Sequence, residues 1–171
     1  LVGLMGGTID VDSTPGQGSN FWFEISLPKS AKALAAPDHS ATELHAAEIL
    51  SLHQGKRVLL VEDDAVNQEV ARDLLEHVGL LVDVADNGQE AVERARQVAY
   101  AIILMDIQMP VMNGVQAARA IFAESCNQQT PIIAVTANAF AEDRTSCLDA
   151  GMNDYLAKPF RPERLYGMLL K

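Results

Sequence analysis

Apolar and polar positions follow a regular pattern over the last two thirds of the chain. Five short, mainly apolar runs predict buried strands at residues 57–61, 81–85, 101–105, 132–136 and 155–157. Each run is followed by apolar residues at helical spacing, which predict helices at residues 67–77, 89–97, 115–124, 141–149 and 162–170. Apolar strands that alternate with helices form a parallel sheet covered on both faces. The pattern therefore predicts an α/β domain with a doubly wound, five-stranded parallel sheet at residues 56–171.

The first 55 residues have a different pattern. Residues 8–12 alternate between apolar and polar positions, residues 15–18 have the composition of a turn, and residues 20–27 have strand character. These features predict a β-hairpin. Because a lone hairpin is at best marginally stable, we interpret residues 1–28 as the end of a larger domain. Residues 29–55, rich in Ala, Ser and His, predict a linker with a short helix at residues 41–52. The chain starts with Leu1 rather than Met, and we interpret it as part of a longer protein.

The composition excludes some classes of function. The formal net charge is −10, and the 13 Lys and Arg residues are scattered, whereas a nucleic-acid surface needs clustered basic residues. Cys126 and Cys147 lack the spacing of a metal or redox motif, so we expect ordinary reduced thiols. No apolar run reaches the length of a membrane span, and no signal peptide is recognisable. We expect a cytoplasmic location for this chain and leave open an inner-membrane anchor in a longer parent protein.

Polar side chains with complementary chemistry follow the predicted strands. In chain order they are Glu62, Asp63 and Asp64 after the first strand, Asp106 after the third, Thr136 at the end of the fourth, and Lys158 after the fifth. Because the carboxyl ends of parallel strands meet at one edge of the sheet, we expect these groups to lie together. Each has an ordinary explanation when taken alone, such as an acid that caps the next helix. Their joint placement is what indicates a site.

The predicted group has the chemistry of a metal-dependent phosphoryl acceptor. Adjacent carboxylates repel each other, so either one of them retains a proton or the set binds a cation. Their oxygens suit Mg²⁺, which uses few protein ligands and keeps several waters. A carboxylate beside such a cation can act as a nucleophile toward a phosphoryl group and form an acyl phosphate. The cation and Lys158 would neutralise the phosphoryl oxygens, and Thr136 would donate a hydrogen bond to one of them.

Five short motifs resemble the receiver domain of response regulators, in the order that this family has them. They are LLVEDD at 59–64, LMDIQMP at 104–110, NG at 113–114, AVTANA at 134–139 and YLAKPF at 155–160. The resemblance implies a flavodoxin-like (βα)5 fold and a function in phosphorelay signal transduction. It implies that Asp106 is the phospho-acceptor. It further implies a Mg²⁺ or Mn²⁺ ion bound by Glu62, Asp63, Asp106 and the backbone carbonyl of Gln108.

The resemblance also assigns a switch. The residues at the family's switch and phosphate-binding positions are Thr136, Tyr155 and Lys158. A cis peptide bond before proline, typical of the family, falls on Lys158–Pro159 here. Two positions depart from the usual pattern, namely Asp64, where Asn is frequent in related sequences, and Asn113, where Asp is usual. Neither of these two positions is expected to carry chemistry.

Residues 1–28 resemble a second family. LVGLMGGTIDV at 1–11 and GQGSNFWFEI at 16–25 are similar to the C-terminal end of a histidine-kinase ATPase domain. The boxes that bind Mg-ATP and the phospho-accepting histidine box are not recognisable, and His39, His45 and His53 are interpreted as solvated linker histidines. Together the two resemblances imply the C-terminal part of a hybrid sensor histidine kinase. They imply a histidine kinase domain and a histidine phosphotransfer protein as partners, and they leave dimerisation open.

Two other functions compete with this interpretation. A hydrolase of the haloacid-dehalogenase type would also use an aspartate nucleophile, but its pattern has a second Asp two residues later, where this sequence has Gln108. A pure interaction module that never accepts phosphate would not need the complete set of acids, hydroxyl and amine. Incubation with acetyl phosphate and Mg²⁺, followed by intact mass, distinguishes the three functions.

Overall fold

The chain contains two compact units, Leu1–Pro37 and Asp38–Lys171. The computed structural model describes residues 2–27, 39–137 and 141–171, with side chains for all of them except 39–40 and 141–144. Residues 29–38 of the predicted linker, and Asn138 and Ala139 of the fourth motif, lie outside the described residues. Within the described ranges, no helix is both long and apolar enough to cross a membrane.

The first unit contains the predicted β-hairpin. Its elements are a 3-10 helix, Gly3–Met5, and two antiparallel strands, β1 (Thr8–Thr14) and β2 (Gly18–Glu24). Ile9 lies opposite Phe23 and Val11 lies opposite Phe21, so four apolar side chains share one face of the hairpin. All four are exposed. The hairpin therefore presents an apolar face that the described residues leave uncovered.

Within the described residues, the second unit contains a five-stranded parallel sheet and six helices. Its strands are β3 (Arg57–Val61), β4 (Leu81–Ala85), β5 (Ile102–Asp106), β6 (Ile132–Thr136) and β7 (Asp154–Ala157). Its helices are α1 (His39–His53), α2 (Ala65–His77), α3 (Gly88–Gln97), α4 (Gly114–Glu124), α5 (Ala141–Asp149) and α6 (Pro162–Leu169). The strand order is β4-β3-β5-β6-β7, which confirms the predicted doubly wound fold. The switch point in strand order lies between β3 and β5, where sites of such sheets form.

Apolar side chains cover both faces of this sheet, as the continuous apolar strands predict. Successive residues of a strand point to opposite faces. Leu59 and Met105 pack on one face with residues of α3 and α4, whereas Leu60 and Leu104 pack on the other with residues of α2 and α6. Burial on both faces holds the strand ends, and therefore the side chains that follow them, in a fixed arrangement.

Helix α1 occupies the end of the segment whose composition predicts a linker. It lies in the same compact unit as the sheet and packs against α6. Ile49 is completely buried in the core cluster that contains Leu60. Leu50 packs so closely on Gly79 that an added Cβ there would overlap its Cδ1, and the Gly55 N–H donates to the Gly79 carbonyl oxygen at 2.8 Å. Helix α1 is therefore part of the packed unit.

His45 lies in this helix contact, and its interpretation as a solvated linker histidine is wrong. Its side chain is half-buried beside Gly167 of α6. Its Nδ1 is buried and has no hydrogen-bond partner among the described residues. His53 is also half-buried, while the side chain of His39 lies outside the described residues. His45 and Ile49 are four residues apart, so the same side of α1 carries both into the contact.

We expect Ile49→Ala to lower the unfolding free energy of the second unit by about 2–4 kcal/mol, because it leaves a cavity under a packed helix. Leu52→Ala is the matched control, since Leu52 lies in the same helix but is 60% exposed. It should change the unfolding free energy by no more than about 0.5 kcal/mol. Urea denaturation followed by circular dichroism measures both variants. Equal effects of the two substitutions would contradict the packing of α1 on this unit.

Candidate functional site

The adjacent ends of β3 and β5 bring the predicted acids together. Val61 pairs with Met105, so Glu62 and Asp106, the next residues of each strand, follow at the same edge of the sheet. Carboxylate oxygens of Glu62, Asp63 and Asp106 lie within 4.8 Å of one another. These three residues are called the acid cluster below. Strand polarity and strand order alone account for its assembly.

Two carboxylates of the acid cluster are removed from water. Glu62 is completely buried and Asp106 is 4% exposed, whereas Asp63 is exposed. A buried carboxylate is strongly unfavourable unless a positive charge or hydrogen-bond donors compensate it. Glu62 and Asp106 therefore need a cation beside them.

Lys158 supplies a positive charge to both buried carboxylates. Its Nζ donates to Asp106 Oδ2 at 2.6 Å and to Glu62 Oε1 at 2.7 Å, and it lies 2.6 Å from Glu62 Oε2. Burial of the ammonium acts to lower the pKa of Lys158, but its hydrogen bonds to Asp106 and Glu62 outweigh burial and raise the pKa above the usual value. Lys158 is therefore charged at neutral pH. The Lys158–Pro159 peptide bond is cis.

The acid cluster also suits a divalent cation. Among the described residues, no donor of good hydrogen-bond geometry reaches Glu62 Oε2, a buried atom, although Lys158 Nζ lies close to it. Asp63 adds an exposed carboxylate within reach of the same point. Carboxylate oxygens with access to water are the ligands that Mg²⁺ prefers. The three acids predicted from the sequence therefore form a suitable metal site.

The backbone around Asp106 is held from two sides. The Gln108 N–H donates to Asp106 Oδ1 at 3.0 Å, so each carboxylate oxygen of Asp106 has a donor. Helix α4 starts at Gly114 so close to Asp106 that an added Cβ would overlap the Asp106 carbonyl oxygen. The Gly114 N–H donates to the Ile107 carbonyl oxygen at 3.1 Å. Gly114, part of the predicted NG motif, is thus required by a close backbone approach.

Thr136 and Tyr155 lie on the two strands beyond Asp106. Asp106 pairs with Val135, so Thr136 ends β6 one residue further on, and it is 5% exposed. Tyr155 of β7 pairs with Ala134, two residues before Thr136, so Thr136 and Tyr155 point to the same face of the sheet. The Lys158 N–H donates to the Thr136 carbonyl oxygen at 2.8 Å. The ends of β6 and β7 are therefore tied together beside the acid cluster.

The two departures from the usual family pattern are helix caps. Asp64 Oδ1 accepts hydrogen bonds from the backbone N–H groups of Val66 and Asn67 at the start of α2. Asn113 forms a capping box with Gln116 at the start of α4. Asn and Asp are equally good N-caps, so exchanging one for the other preserves both helix starts. Each departure therefore has a structural role at the start of a helix.

Two residues that contact the acid cluster were missed by sequence reasoning. Asn67 Nδ2 donates to Glu62 Oε1 at 3.0 Å. Gln68 Nε2 donates to the Glu62 carbonyl oxygen at 2.6 Å and to Asp86 Oδ1 at 2.8 Å. Both lie in the first turn of α2, three and four residues after Asp64. Two consecutive amides one helical turn after a group of acids were the available signal.

The loop between β5 and α4 contains a strained residue. Val111 has a φ of 67°, and the Met112 N–H donates to the Pro110 carbonyl oxygen at 2.7 Å, so Val111 is the centre of a γ-turn. A positive φ of this kind costs an L-residue about 1–3 kcal/mol and is least favourable for a β-branched one. The Val111 side chain is 80% exposed, so no packing offsets the strain. The Gly88 N–H, which donates to the Met112 carbonyl oxygen at 3.1 Å, helps to hold the turn.

We expect Val111→Asn to raise the unfolding free energy by about 1 kcal/mol, because Asn adopts a positive φ more readily than Val and no packed side chain is lost. Val111→Ala keeps a Cβ in the same backbone conformation, so its unfolding free energy should rise by less. Urea denaturation of the three proteins measures the difference. If the Ala variant gains as much as the Asn variant, removal of an exposed apolar side chain is the cause, and the backbone explanation is wrong.

Comparisons with known proteins agree with this geometry. A family model described as the response regulator receiver domain matches residues 58–170. The signal transduction histidine-protein kinase BarA of Escherichia coli strain K12 is 47% identical over 114 residues, which are 67% of this chain and 12% of BarA. The sensor histidine kinase AruS of Pseudomonas aeruginosa is 38% identical over 167 residues, which are 96% of this chain and 16% of AruS. The chain thus spans a small part of the length of these relatives.

A solved structure is similar over the same region. It is the receiver domain of the sensor histidine kinase PA1611 from Pseudomonas aeruginosa PAO1, with a magnesium ion coordinated in its active site cleft. The TM-score is 0.64 at 47% sequence identity, and the match covers 67% of this chain and 94% of that chain. The acid cluster of the present chain is suited to the same kind of ion. With a sheet of this order, and with a family model that matches residues 58–170, this chain belongs to the response regulator receiver domain family.

Proposed function

We propose that Asp106 accepts a phosphoryl group from a phosphohistidine and that this chain is the receiver part of a hybrid sensor histidine kinase. The observation that supports this most directly is the placement of Asp106, a buried carboxylate at the switch point of the sheet, between Lys158 and two further acids. A carboxylate oxygen of Asp106 attacks the phosphorus atom. The phosphorus–nitrogen bond to the imidazole breaks, and its electron pair remains on the imidazole nitrogen. The product is an acyl phosphate at Asp106.

The other residues of the site bind and orient the phosphoryl group. Mg²⁺ or Mn²⁺, held by Glu62, Asp63, Asp106 and the backbone carbonyl of Gln108, supplies charge neutralisation when it is bound. Lys158, which contacts Asp106 Oδ2 at 2.6 Å, is within reach of an oxygen on a group attached to Asp106. The Thr136 hydroxyl donates a hydrogen bond to another phosphoryl oxygen.

The switch proposed for this domain uses Thr136 and Tyr155. Phosphorylation draws Thr136 toward Asp106, and Tyr155 follows, because both side chains lie on the same face of adjacent strands. The charge added at Asp106 shifts the equilibrium between two conformations of the domain. The shift changes the affinity of the surface near the last helices for a partner. The phosphoryl group then passes to a histidine of a phosphotransfer protein or domain.

We further propose that residues 1–28 are the end of a histidine-kinase ATPase domain. The uncovered apolar face of the hairpin, which carries Ile9, Val11, Phe21 and Phe23, supports this boundary, because such a face needs the rest of a domain to cover it. Kinase activity then belongs to the longer parent protein, and residues 56–171 act as its cytoplasmic receiver together with the packed helix α1. The histidine kinase domain of the parent is the proposed phosphoryl donor.

The test of the proposed function is phosphorylation by a small donor. The chain is incubated with acetyl phosphate and Mg²⁺, and its intact mass is measured over time. A receiver should gain one phosphoryl group, in an adduct that alkaline hydroxylamine removes. Rapid, continuous release of inorganic phosphate with only a short-lived adduct would favour a hydrolase. An unchanged mass at all times, without phosphate release, would favour a pure interaction module.

We expect Thr136→Ala to accept a phosphoryl group but to switch poorly. A hydrogen bond to a charged group contributes roughly 1.5–3 kcal/mol, which is comparable with the free energy that separates two such conformations. Its loss should therefore return much of the phosphorylated population to the inactive state. NMR shifts of Tyr155 and α6 before and after phosphorylation measure the effect. The full wild-type shift pattern in this variant would show that Thr136 does not couple the site to β7.

A further inference from the structure

The side chain of Asn67 contacts the acid cluster from the start of α2. Asn67 is the third residue of this helix, and its backbone N–H donates to the capping residue Asp64 at 2.9 Å. Its Nδ2 donates to Glu62 Oε1 at 3.0 Å. The side chain is half-buried. Asn67 is thus fixed at its backbone by the helix cap and at its amide by the Glu62 carboxylate.

The two oxygens of Glu62 have different surroundings. Oε1 accepts hydrogen bonds from both Asn67 Nδ2 and Lys158 Nζ. Oε2 lies 2.6 Å from Lys158 Nζ but, within the described residues, has no hydrogen bond of good geometry. The terminal torsion of a Glu side chain has a broad energy minimum, so a carboxylate without an anchor can rotate toward whichever cation is nearest. The Asn67 amide is the neutral donor that limits this rotation.

We propose that Asn67 is a positioning residue of the metal site. Its amide fixes Oε1 of Glu62 and thereby the orientation of Oε2, the oxygen that a divalent cation would bind in place of its close contact with Lys158. Without the amide, Lys158 is the only donor to the carboxylate among the described residues, and the carboxylate then turns with the lysine. Hydrogen bonds that orient ligating side chains commonly change metal affinity by about 10–100-fold. The inference rests on the proposed metal-dependent phosphorylation and specifies how Glu62 is prepared for it.

Gln68, the next residue, offers a matched control. It is also an amide of the first turn of α2, but it donates to the backbone oxygen of Glu62 and to Asp86 rather than to the Glu62 carboxylate. Loss of Gln68 loosens the end of β3 without freeing Oε1. A comparison of the two positions therefore separates orientation of the carboxylate from general loosening of the site.

The experiment measures Mg²⁺ binding directly, by NMR titration of the ¹⁵N-labelled chain. Asn67→Leu, which has a similar size and no donor, should weaken Mg²⁺ binding by about ten-fold or more. Asn67→Gln keeps an amide and should lose less of the Mg²⁺ affinity. The Mg²⁺ affinity of Gln68→Leu should stay within about two-fold of the wild type, because the Gln68 amide binds the backbone of Glu62 and not its carboxylate. Phosphorylation by acetyl phosphate should need more Mg²⁺ in Asn67→Leu and should reach the wild-type maximal rate when Mg²⁺ saturates.

If the Leu variant does not fold, Asn67→Ala replaces it, because alanine adds no apolar bulk. This variant should also bind Mg²⁺ more weakly than the wild type. Wild-type Mg²⁺ affinity in a folded Asn67→Ala or Asn67→Leu protein would overturn the inference. Equal weakening in Gln68→Leu would also overturn it, because general loosening would then explain the loss. Absence of Mg²⁺ binding by the wild type would instead overturn the proposed metal-dependent function.

Discussion

Asp106→Asn is expected to abolish phosphorylation by acetyl phosphate while the fold is retained. The amide has the shape of the carboxylate but is a poor nucleophile toward phosphorus. The change also removes one of two buried negative charges that share Lys158, and so leaves Glu62 paired with that lysine. Intact mass after incubation with Mg²⁺ and the donor measures the adduct, and circular dichroism checks the fold.

Asp64→Asn is the control for this prediction. Asp64 is an acid two residues from Glu62, yet it caps α2 instead of joining the acid cluster. Because Asn caps helices as well as Asp does, the variant should keep both the wild-type stability and the full phosphoryl adduct. An adduct of normal yield in Asp106→Asn would mean that another residue is the acceptor.

Lys158→Met is expected to lower the unfolding free energy by about 3–5 kcal/mol when no divalent cation is present, because it leaves two buried carboxylates without their cation. Mg²⁺ binds to the same carboxylates in the folded state, so it should restore much of this loss. The stabilisation by Mg²⁺ should therefore be larger in the variant than in the wild type. Urea denaturation with EDTA and with saturating Mg²⁺ measures both quantities.

Lys171→Met is the matched control for Lys158→Met. Lys171 pairs with Asp154 at 3.0 Å, but its side chain is 70% exposed. Solvent weakens such a pair to about 0–1 kcal/mol, so the unfolding free energy of this variant should be almost that of the wild type. Mg²⁺ should stabilise this variant and the wild type by the same amount. If both lysine variants behave alike, the buried ion pair at the acid cluster does not have the energetic role argued above.

The strands of the second unit show how much of the fold follows from local pattern. Strands β3 and β6 have the bounds that their apolar runs predict, because burial on both faces requires continuous apolar residues. The edge strand β4 also has the predicted bounds, although it contains Asp83 and is only partly buried. Strand β5 extends to Asp106, one residue beyond its apolar run, because Asp106 pairs with Val135 of β6. A polar side chain is therefore a poor marker of the end of a strand, because the residue still belongs to the strand where the neighbouring strand forms hydrogen bonds with it.

Helix α1 shows a feature that the local sequence pattern does not predict, namely which side of the helix is buried. The sequence predicted a helix there, but its apolar residues are distributed around the helix rather than on one side. Leu44 and Leu52 are 70% and 60% exposed, whereas Ile49 is completely buried. The buried side is selected by contact with α6 and Gly79, which lie far away in the chain.

The sequence by itself determined the fold class and which polar residues lie near the carboxyl ends of the strands, because residue periodicity reports burial and parallel strands share one polarity. Only the tertiary structure decided how those residues share charge. Lys158 contacts Glu62 and Asp106 across separations of 96 and 52 residues, and Asn67 reaches one Glu62 oxygen from a neighbouring helix. Such contacts depend on strand order and on the exact start of a helix. The periodicity of apolar residues in the sequence does not report either of these. The same reason explains why Glu62 is buried while Asp63, its neighbour in sequence, is exposed.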